Sequence, residues 1–464
     1  MSDCTFIILG ATGDLAKKKL LPAIYDLVKD KKIARYAIIG AALEDLSQEE
    51  FTQLFASFIN PFDFSIWDEM KEHIYYQRIN FEDPKSFIQL NKKVSALESE
   101  AELPGNRIIY IAAASIFYCS ITQNLAHSSL ARKATNNSPW NRIIYEKPFG
   151  TDLDSANQIN QCIKESFNES QIYRVDHYLT KELVSSIVLV RFSNIIFEPL
   201  WNHKYIDYVE INLGELIGLE GRGRYYDHYG VLRDVVQNHG LQLMSLIAME
   251  LPAKLNGFEI QEKKAEVLKH IQFDDGFLGQ YDSYKEELDV NISSSTPTFA
   301  CLKFIINNDR WKNIPFYIKA GKKLNRKDSS IHIKFKNVDC TLKESCFYES
   351  DYLTIQVDPD AAFSLQLNSK RPDSIFEVRP IQLTFNQDYT SKTATPEAYE
   401  VLLERIIQGD QSVSVRFDEI EFAWSVIDTV QKKELPMYPY EQATKGPQEA
   451  LTTFERTHKM RWRV

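Results

Sequence analysis

The chain has 464 residues, of which 44% are hydrophobic and 25% charged, and its formal net charge is -10. That length predicts about two or three domains, each large enough to bury its own core. The acidic balance argues against nonspecific binding to nucleic acid or to an anionic membrane. No apolar run approaches the roughly 18 residues of a membrane helix, and the first strand begins too early to leave room for a signal peptide. We therefore expect a cytoplasmic protein.

The cysteines argue against a metal site. The chain has six, and they form neither a CxxC pair nor a metal-ligand spacing. We expect reduced thiols and no bound metal.

A glycine-rich turn near the amino terminus favours a dinucleotide site. Residues 5–9 form an apolar run of the kind found inside a parallel sheet covered on both faces. The candidate cofactor-binding residues of the turn that follows are Gly10, Ala11, Thr12, Gly13, Asp14 and Leu15. Glycine permits the tight turn and lets backbone N–H groups approach a pyrophosphate at a helix N-terminus. The alternative is a glycine turn without a ligand.

Strand and helix patterns alternate through the first third of the chain. Strands are predicted over residues 36–41, 75–79, 107–112 and 141–145, and helices over 48–59, 84–97, 116–130 and 152–167. This alternation predicts a doubly wound parallel sheet of the α/β class, in a domain over residues 1–170. Lys147 falls at the carboxyl end of the last of these strands, where open α/β sheets bind ligands. It is therefore placed to contact both a substrate and a nicotinamide.

The remainder predicts a larger α+β domain over residues 171–464 with a mostly antiparallel sheet. Apolar and polar residues alternate over 208–213, as in a half-buried strand. Further strands are predicted over residues 299–306, 316–319, 331–335, 352–357, 363–367 and 376–385, and helices over 227–250, 260–270, 396–407 and 418–431.

Two separate stretches carry the residue types of an acid–base site. The first contains Asp176, His177, Tyr178 and Lys181, and the second ends at His239. His, Tyr and Lys can together hold a phosphate, and Asp can orient a His. A solvated polar turn and a satisfied core histidine are the alternatives. If a hydroxyl is oxidised here, an imidazole is the natural base to take its proton near neutral pH.

Two carboxylates are candidates for orienting His239. Asp234 is nearer in sequence, but five residues of an α-helix turn through roughly 140°, so the two side chains should diverge. Asp176 can approach from the other stretch.

Five motifs occur in the order GATGDLAKKKLLP, RIIYEKPFG, YRVDHYLTKE, EGRGRYYDHYGVLRDVVQNH and FYIKAGKKLN. Together they resemble the motif series of the glucose-6-phosphate dehydrogenase family, and the resemblance runs nearly end to end. It implies a Rossmann-type domain beside a larger α+β domain, and oxidation of glucose 6-phosphate to 6-phosphogluconolactone at the entry to the pentose phosphate pathway. NADP is the implied cofactor.

The resemblance also assigns roles to residues. It implies a catalytic pair of Asp176 with His239, and a cis peptide bond before Pro148. The implied substrate-binding residues are Lys19, Lys147, His177, Tyr178, Lys181, Glu215, Asp234 and Lys322. Lys147 is expected to contact the cofactor as well.

Three departures from the family pattern stand out. Thr180 occupies a position that is usually glycine, and residues 113–115 lack a proline beside the expected nicotinamide. Leu43 stands where the family has an arginine for the adenosine 2′-phosphate, and no Lys or Arg occurs between Arg35 and Lys71. Glu44, the neighbouring candidate cofactor residue, suits the free hydroxyls of NAD. We therefore expect NADP from the family and NAD as a possible cofactor from these residues.

Two other functions remain open from the sequence. A sugar oxidoreductase of the Gfo/Idh type also carries an EKP element but does not explain the two histidine-containing motifs together. A non-catalytic relative is disfavoured because the catalytic residue types are intact. The expected partners are a phosphorylated sugar and further copies of the chain in a homodimer or homotetramer, with no nucleic acid and no membrane.

Overall fold

The computed structural model describes residues 3–135, 139–176, 178–179, 181–337, 349–372, 374, 377–386 and 397–463. The chain divides into two compact units. The first comprises Met1–Thr180, Lys254–Gln261 and Pro396–Glu421, and the second Lys181–Ala253, Glu262–Thr395 and Phe422–Val464. The predicted boundary after residue 170 stays a prediction. In the part of the chain that is described, no helix has both the length and the apolar character needed to cross a membrane.

The strands, numbered in chain order, are β1 (Cys4–Leu9), β2 (Tyr36–Ala42), β3 (Ile74–Arg78), β4 (Arg107–Ile111), β5 (Asn141–Glu146), β6 (Ile172–Val175), β7 (Ile206–Gly214), β8 (Ile271–Tyr281), β9 (Phe299–Ile306), β10 (Pro315–Gly321), β11 (Asp328–Phe335), β12 (Tyr352–Asp358), β13 (Ala362–Lys370), β14 (Val378–Asn386) and β15 (Met437–Tyr440). The α-helices are α1 (Leu21–Lys29), α2 (Gln48–Ala56), α3 (Phe64–Met70), α4 (Pro84–Glu100), α5 (Tyr118–His127), α6 (Leu153–Ser166), α7 (Glu182–Ser193), α8 (Gly223–Val231), α9 (Leu241–Ala248), α10 (Gly257–Lys269), α11 (Ala398–Gln408), α12 (Phe417–Gln431) and α13 (Gln448–His458).

The first unit contains a parallel sheet in the order β3-β2-β1-β4-β5-β6. This is the strand order of a dinucleotide-binding doubly wound fold. Every residue of β1 and β2 is buried, because helices cover both faces of a parallel sheet and leave no side of a central strand in water. The predicted α/β class of this part is confirmed. β2 and β3 are added on one side of β1, whereas β4, β5 and β6 are added on the other. Ligands are therefore expected at the carboxyl ends of β1 and β4, where the strand order reverses.

The second unit contains a mixed sheet in the order β14-β13-β12-β11-β7-β10-β9-β8-β15. Most neighbours are antiparallel, whereas β7 pairs with β10 and β8 pairs with β15 in parallel. Buried and part-exposed residues alternate along β12, as expected for a strand with one face on the core. The predicted α+β class with a mostly antiparallel sheet is confirmed.

The helix predicted over residues 227–250 is wrong as one continuous helix. The backbone breaks at Gly230, whose φ of 60° lies in the left-handed region that glycine adopts without strain. A π-helical segment follows at Leu232–Gly240, and α-helical geometry resumes in α9. Hydrophobic spacing alone predicts the helical character of this stretch but not a change in its hydrogen-bond pattern.

The expectation that all six cysteines are reduced is wrong for two of them. Cys119 of α5 and Cys162 of α6 form a disulfide with a Cα–Cα distance of 5.5 Å. The two helices pack side by side, which brings together two residues that are 43 positions apart. Cys4 and Cys301 are free and buried, and the remaining two cysteines lie outside the described residues.

Candidate active site

The glycine turn after β1 has the geometry of a dinucleotide-binding loop. Gly10 has a φ of 91°, and a Cβ placed on it would lie 2.5 Å from the carbonyl oxygen of Ala112, which follows β4. Only glycine therefore fits at this point, where β1 and β4 end side by side. The Gly13 N–H donates to the Gly10 carbonyl at 3.0 Å and closes the turn. This close backbone approach suits the pyrophosphate of a nicotinamide dinucleotide.

A helical segment begins directly after the turn. Asp14 is exposed and accepts a hydrogen bond from Lys18 at 3.0 Å. Ala16–Leu20 is π-helical and leads into α1. Lys19 lies on this segment, exposed and 3.7 Å from a carboxylate oxygen of Glu397. Ala11 is buried and Leu15 is half-buried, so these two residues anchor the turn to the core.

The loop after β2 carries a carboxylate toward the glycine turn. The Thr12 hydroxyl donates to Glu44 Oε2 at 2.7 Å, and the Tyr76 hydroxyl donates to the Glu44 carbonyl at 2.6 Å. Leu43 has an exposed fraction of 52%. Arg78 at the end of β3 donates from Nε to the Leu43 carbonyl at 3.1 Å. Sequence reasoning missed this arginine, because it lies on the neighbouring strand, 35 positions from Leu43.

Glu146 forms a buried hydrogen-bonded group at the carboxyl end of β5. The Tyr110 and Tyr399 hydroxyls both donate to Glu146 Oε1, the latter at 3.3 Å, and the Tyr118 hydroxyl donates to the Glu146 carbonyl at 2.6 Å. Glu146 as a whole residue is half-buried. Burial raises the pKa of Glu146 to about 7, although the tyrosine hydrogen bonds and the charge of Lys147 act in the opposite direction.

These contacts fix the strand end from which Lys147 projects. Lys147 is half-buried, and the peptide bond between Lys147 and Pro148 is cis, which confirms the prediction. Sequence reasoning singled out the lysine but missed Glu146, because its tyrosine partners come from β4, α5 and α11.

Asp176 opens a tight turn directly after β6. Its side chain is buried, with Oδ1 accepting from the Tyr178 N–H at 2.9 Å, while its carbonyl accepts from the Leu179 N–H at 3.0 Å. The carboxylate is thereby held in one orientation. Two predicted residues of this turn lie outside the described residues. They are His177, the candidate phosphate ligand, and Thr180, which departs from the family pattern.

In the second unit, an ion pair lies at the carboxyl ends of β7 and β10. The two strands are parallel, so Glu215 after β7 and Lys322 after β10 leave the sheet together. The Lys322 ammonium donates to Glu215 Oε2, and the ammonium lies 5.1 Å from the centre of the Tyr226 ring. Lys322 is buried, and a buried ammonium requires such partners.

Tyr226 was not singled out from the sequence. Its hydroxyl is buried and has no hydrogen-bond partner among the residues that the structure describes. Burial raises the pKa of Tyr226, and the charges of Asp234 and Glu215 add to the effect. The ring therefore lies near both predicted sugar-binding carboxylates.

His239 and Asp234 lie on the π-helical segment Leu232–Gly240, and both are buried. A Cβ placed on Gly240 would lie 3.3 Å from Ile318 of β10, so the glycine lets this segment approach the sheet closely. The Tyr225 hydroxyl donates to Asp234 Oδ1 at 3.2 Å and orients the carboxylate.

The angular argument against pairing Asp234 with His239 is wrong. It assumed an α-helix, whereas in a π-helix the hydrogen bond joins residues five apart, which therefore lie nearly one above the other. Helical geometry does not separate these two side chains, and the pairing of His239 with Asp176 stays a prediction.

Lys181 belongs to a cluster in which two lysines contact one carboxylate. It forms the N-cap of α7, and its ammonium lies 3.1 Å from Asp358 Oδ2. The Lys327 ammonium lies 2.7 Å from the same oxygen. Burial works to raise the pKa of Asp358, but the two lysines outweigh it and the net pKa is lowered. Two ammonium groups converging on one anionic oxygen provide the charge that a phosphate requires.

Each unit therefore assembles part of the predicted site. The first holds the glycine turn, Glu44, Lys147 and Asp176; the second holds Lys181, Glu215, Asp234, His239 and Lys322. The catalytic and binding roles of these residues stay predictions.

Two family models match the chain. The model described as glucose-6-phosphate dehydrogenase, NAD binding domain, matches residues 7–186, and that described as glucose-6-phosphate dehydrogenase, C-terminal domain, matches residues 188–463. The first of them agrees with the dinucleotide geometry of the turn after β1.

Two relatives and a solved structure agree with these matches. Glucose-6-phosphate 1-dehydrogenase of Chlamydia pneumoniae is 37% identical over 99% of this chain and 96% of its own length, and that of Bacillus subtilis is 36% identical over 96% and 95%. A solved structure described as glucose-6-phosphate dehydrogenase in complex with its substrate glucose-6-phosphate has a TM-score of 0.91 and 29% identity, and covers 100% of this chain and 99% of that one. The chain therefore belongs to the glucose-6-phosphate dehydrogenase family.

Proposed function

We propose that the chain oxidises glucose 6-phosphate at C1 to 6-phosphogluconolactone, with transfer of hydride to a nicotinamide dinucleotide. The observation that carries this proposal is the full-length likeness to a glucose-6-phosphate dehydrogenase solved with its substrate, in a chain whose acid–base and phosphate-binding residue types are intact. The reaction would open the pentose phosphate pathway.

In the proposed reaction His239 is the base that takes the proton of the C1 hydroxyl. As that proton leaves, the C1–H bond breaks with both electrons going to the nicotinamide, which supplies the oxidant when it is bound. Loss of one proton and one hydride converts the ring carbon to the lactone carbonyl. Asp176, held in its turn by the Tyr178 N–H, would stabilise the resulting imidazolium.

The phosphate and the sugar would use different groups of the second unit. Lys181, with His177 and Tyr178, would bind the phosphate. The Lys181 ammonium lies 3.1 Å from Asp358 Oδ2. Asp234, oriented by Tyr225, would accept a hydrogen bond from a sugar hydroxyl.

We further propose that Lys322, Glu215, Lys147 and Lys19 contact the substrate. Lys147 would also contact the nicotinamide.

We propose that both NADP and NAD are accepted. The family resemblance favours NADP, whereas the carboxylate of Glu44, fixed by Thr12, suits the free hydroxyls of the adenosine ribose of NAD. Leu43 offers no donor to a 2′-phosphate. Assembly as a homodimer or homotetramer and a cytoplasmic location stay predictions.

The test is steady-state kinetics with glucose 6-phosphate and with unphosphorylated glucose, each with NAD and with NADP. We expect kcat/KM for the phosphorylated sugar to exceed that for glucose by roughly 100-fold or more, since charge-assisted hydrogen bonds contribute about 1.5–3 kcal/mol each. Equal use of the two sugars, or no reduction of either dinucleotide, would refute the proposal.

A further inference from the structure

Arg78 reaches the adenosine side of the candidate cofactor site from a neighbouring strand. It is the last residue of β3, and its Cα partner in the parallel pairing is Ala42, the last residue of β2. The loop after β2 begins at the next residue, Leu43. Parallel pairing in this register therefore places the Arg78 side chain beside that loop, although 35 positions separate Arg78 from Leu43 in the sequence.

The guanidinium is anchored on the loop itself. Nε donates to the Leu43 carbonyl at 3.1 Å, and Nη1 lies 3.4 Å from Asp45 Oδ2. Within the described residues no hydrogen bond uses Nη2 of Arg78. The planar guanidinium group of Arg78 thus lies beside Leu43, whose own side chain carries no positive charge. Its Nη1 and Nη2 are suited to binding an anion with two parallel hydrogen bonds.

The ion pair with Asp45 does not prevent this. The side chain of Arg78 is 62% exposed and that of Asp45 is 83% exposed. An exposed pair of this kind contributes little to stability, because water solvates both charges when they separate. A phosphate with up to two negative charges can therefore favourably replace the Asp45 carboxylate on Nη1 of Arg78. The hydrogen bond from Nε to the Leu43 carbonyl can persist.

The remaining contacts of the loop hold it in position. The Tyr76 hydroxyl donates to the Glu44 carbonyl, and Thr12 binds the Glu44 carboxylate. Glu44 therefore faces the glycine turn, and Arg78 bonds to the carbonyl of the residue before it. One loop accordingly carries an acceptor for ribose hydroxyls and, beside it, a donor for a phosphate.

We propose that Arg78 binds the 2′-phosphate of NADP and so determines how well this chain uses NADP relative to NAD. The inference rests on the proposed function only in placing a dinucleotide at this loop. Glu44 serves NAD, and Arg78 provides from β3 the positive charge that the loop after β2 lacks.

The test substitutes Arg78→Gln, which removes the charge but keeps a donor of similar reach, and Arg78→Lys, which keeps the charge without the planar fork. Arg35→Gln is the matched control, because Arg35 is also an exposed, ion-paired arginine of the first unit but precedes β2 at the opposite end of the strand. Two readouts are compared: kcat/KM with NADP and NAD, and calorimetric Kd for adenosine 2′,5′-bisphosphate and for AMP.

We expect Arg78→Gln to lower kcat/KM with NADP, and affinity for the bisphosphate, by roughly 10- to 100-fold. Values with NAD and AMP should stay within about threefold, Arg78→Lys should fall between wild type and Arg78→Gln, and the Arg35 control should match wild type. Equal losses with both dinucleotides, or unchanged NADP values, would overturn the proposal. The binding measurement keeps this outcome separate from a failure of the proposed function, since it requires no turnover.

Discussion

Replacing Glu146 with Gln tests the electrostatics at the end of β5. Burial raises the pKa of this carboxyl from 4.5 to about 7. Below pH 4.5 the group is protonated in both the folded and the unfolded chain. Between pH 4.5 and 7 the unfolded chain loses the proton while the folded chain keeps it, so the free energy of unfolding falls as the pH rises. The wild type is therefore stabilised by the protonated Glu146 carboxyl at low pH, and it loses this stabilisation as the pH rises from 4.5 to about 7.

The size of the effect follows from the pKa change. Each pKa unit corresponds to about 1.36 kcal/mol, so the raised pKa corresponds to about 3 kcal/mol as an upper limit. Gln does not titrate but can still accept from Tyr110 and Tyr399. We therefore expect the free energy of unfolding of Glu146→Gln, relative to that of the wild type, to increase by up to about 3 kcal/mol from pH 5 to pH 8.

Calorimetric unfolding of both proteins at the two pH values measures this difference. Glu49→Gln is the matched control, because it removes a carboxyl that is fully on the surface, in the first turn of α2. That control should show the same difference from wild type at both pH values. If Glu146→Gln also changed the stability equally at pH 5 and pH 8, the raised pKa would be refuted.

Four further substitutions test the proposed roles. His239→Ala should lower kcat by about 10²–10⁴, the usual contribution of a general base, with little change in dinucleotide Kd; Asp176→Asn should also lower kcat, and turnover within threefold of wild type for both would contradict the pairing. Lys181→Ala should raise KM for glucose 6-phosphate and hardly alter the use of glucose; equal losses with both sugars would contradict a phosphate-binding role. Leu43→Arg should raise the NADP preference in kcat/KM by roughly tenfold, or about 1.4 kcal/mol, and an unchanged preference would show the interpretation of this loop to be mistaken.

Local sequence patterns predicted the parts of the fold that depend on neighbouring residues. An apolar run followed by Gly10 predicted β1 and its turn, and the helix predicted over residues 152–167 is α6, which Asp152 caps by accepting a hydrogen bond from the Ser155 N–H. Such features need only the residues on either side. The site residues of the first unit likewise follow strand ends that the sequence patterns located within a few positions.

Features that depend on packing between distant segments were missed. Arg78 reaches Leu43 only because β2 and β3 pair in parallel and in one particular register. The disulfide requires α5 and α6 to lie side by side. The π-helical geometry around His239 changes which side chains share a face, and no spacing of hydrophobic residues distinguishes it from an α-helix.

Glucose 6-phosphate carrying deuterium at C1 tests the proposed reaction most directly. After incubation with the enzyme and NADP or NAD, mass spectrometry of the reduced dinucleotide and of the sugar product shows where the label goes. The account predicts one deuterium on the reduced dinucleotide for each molecule of 6-phosphogluconolactone formed. A reduced dinucleotide without the label, or a sugar product that retains deuterium at C1, would contradict it.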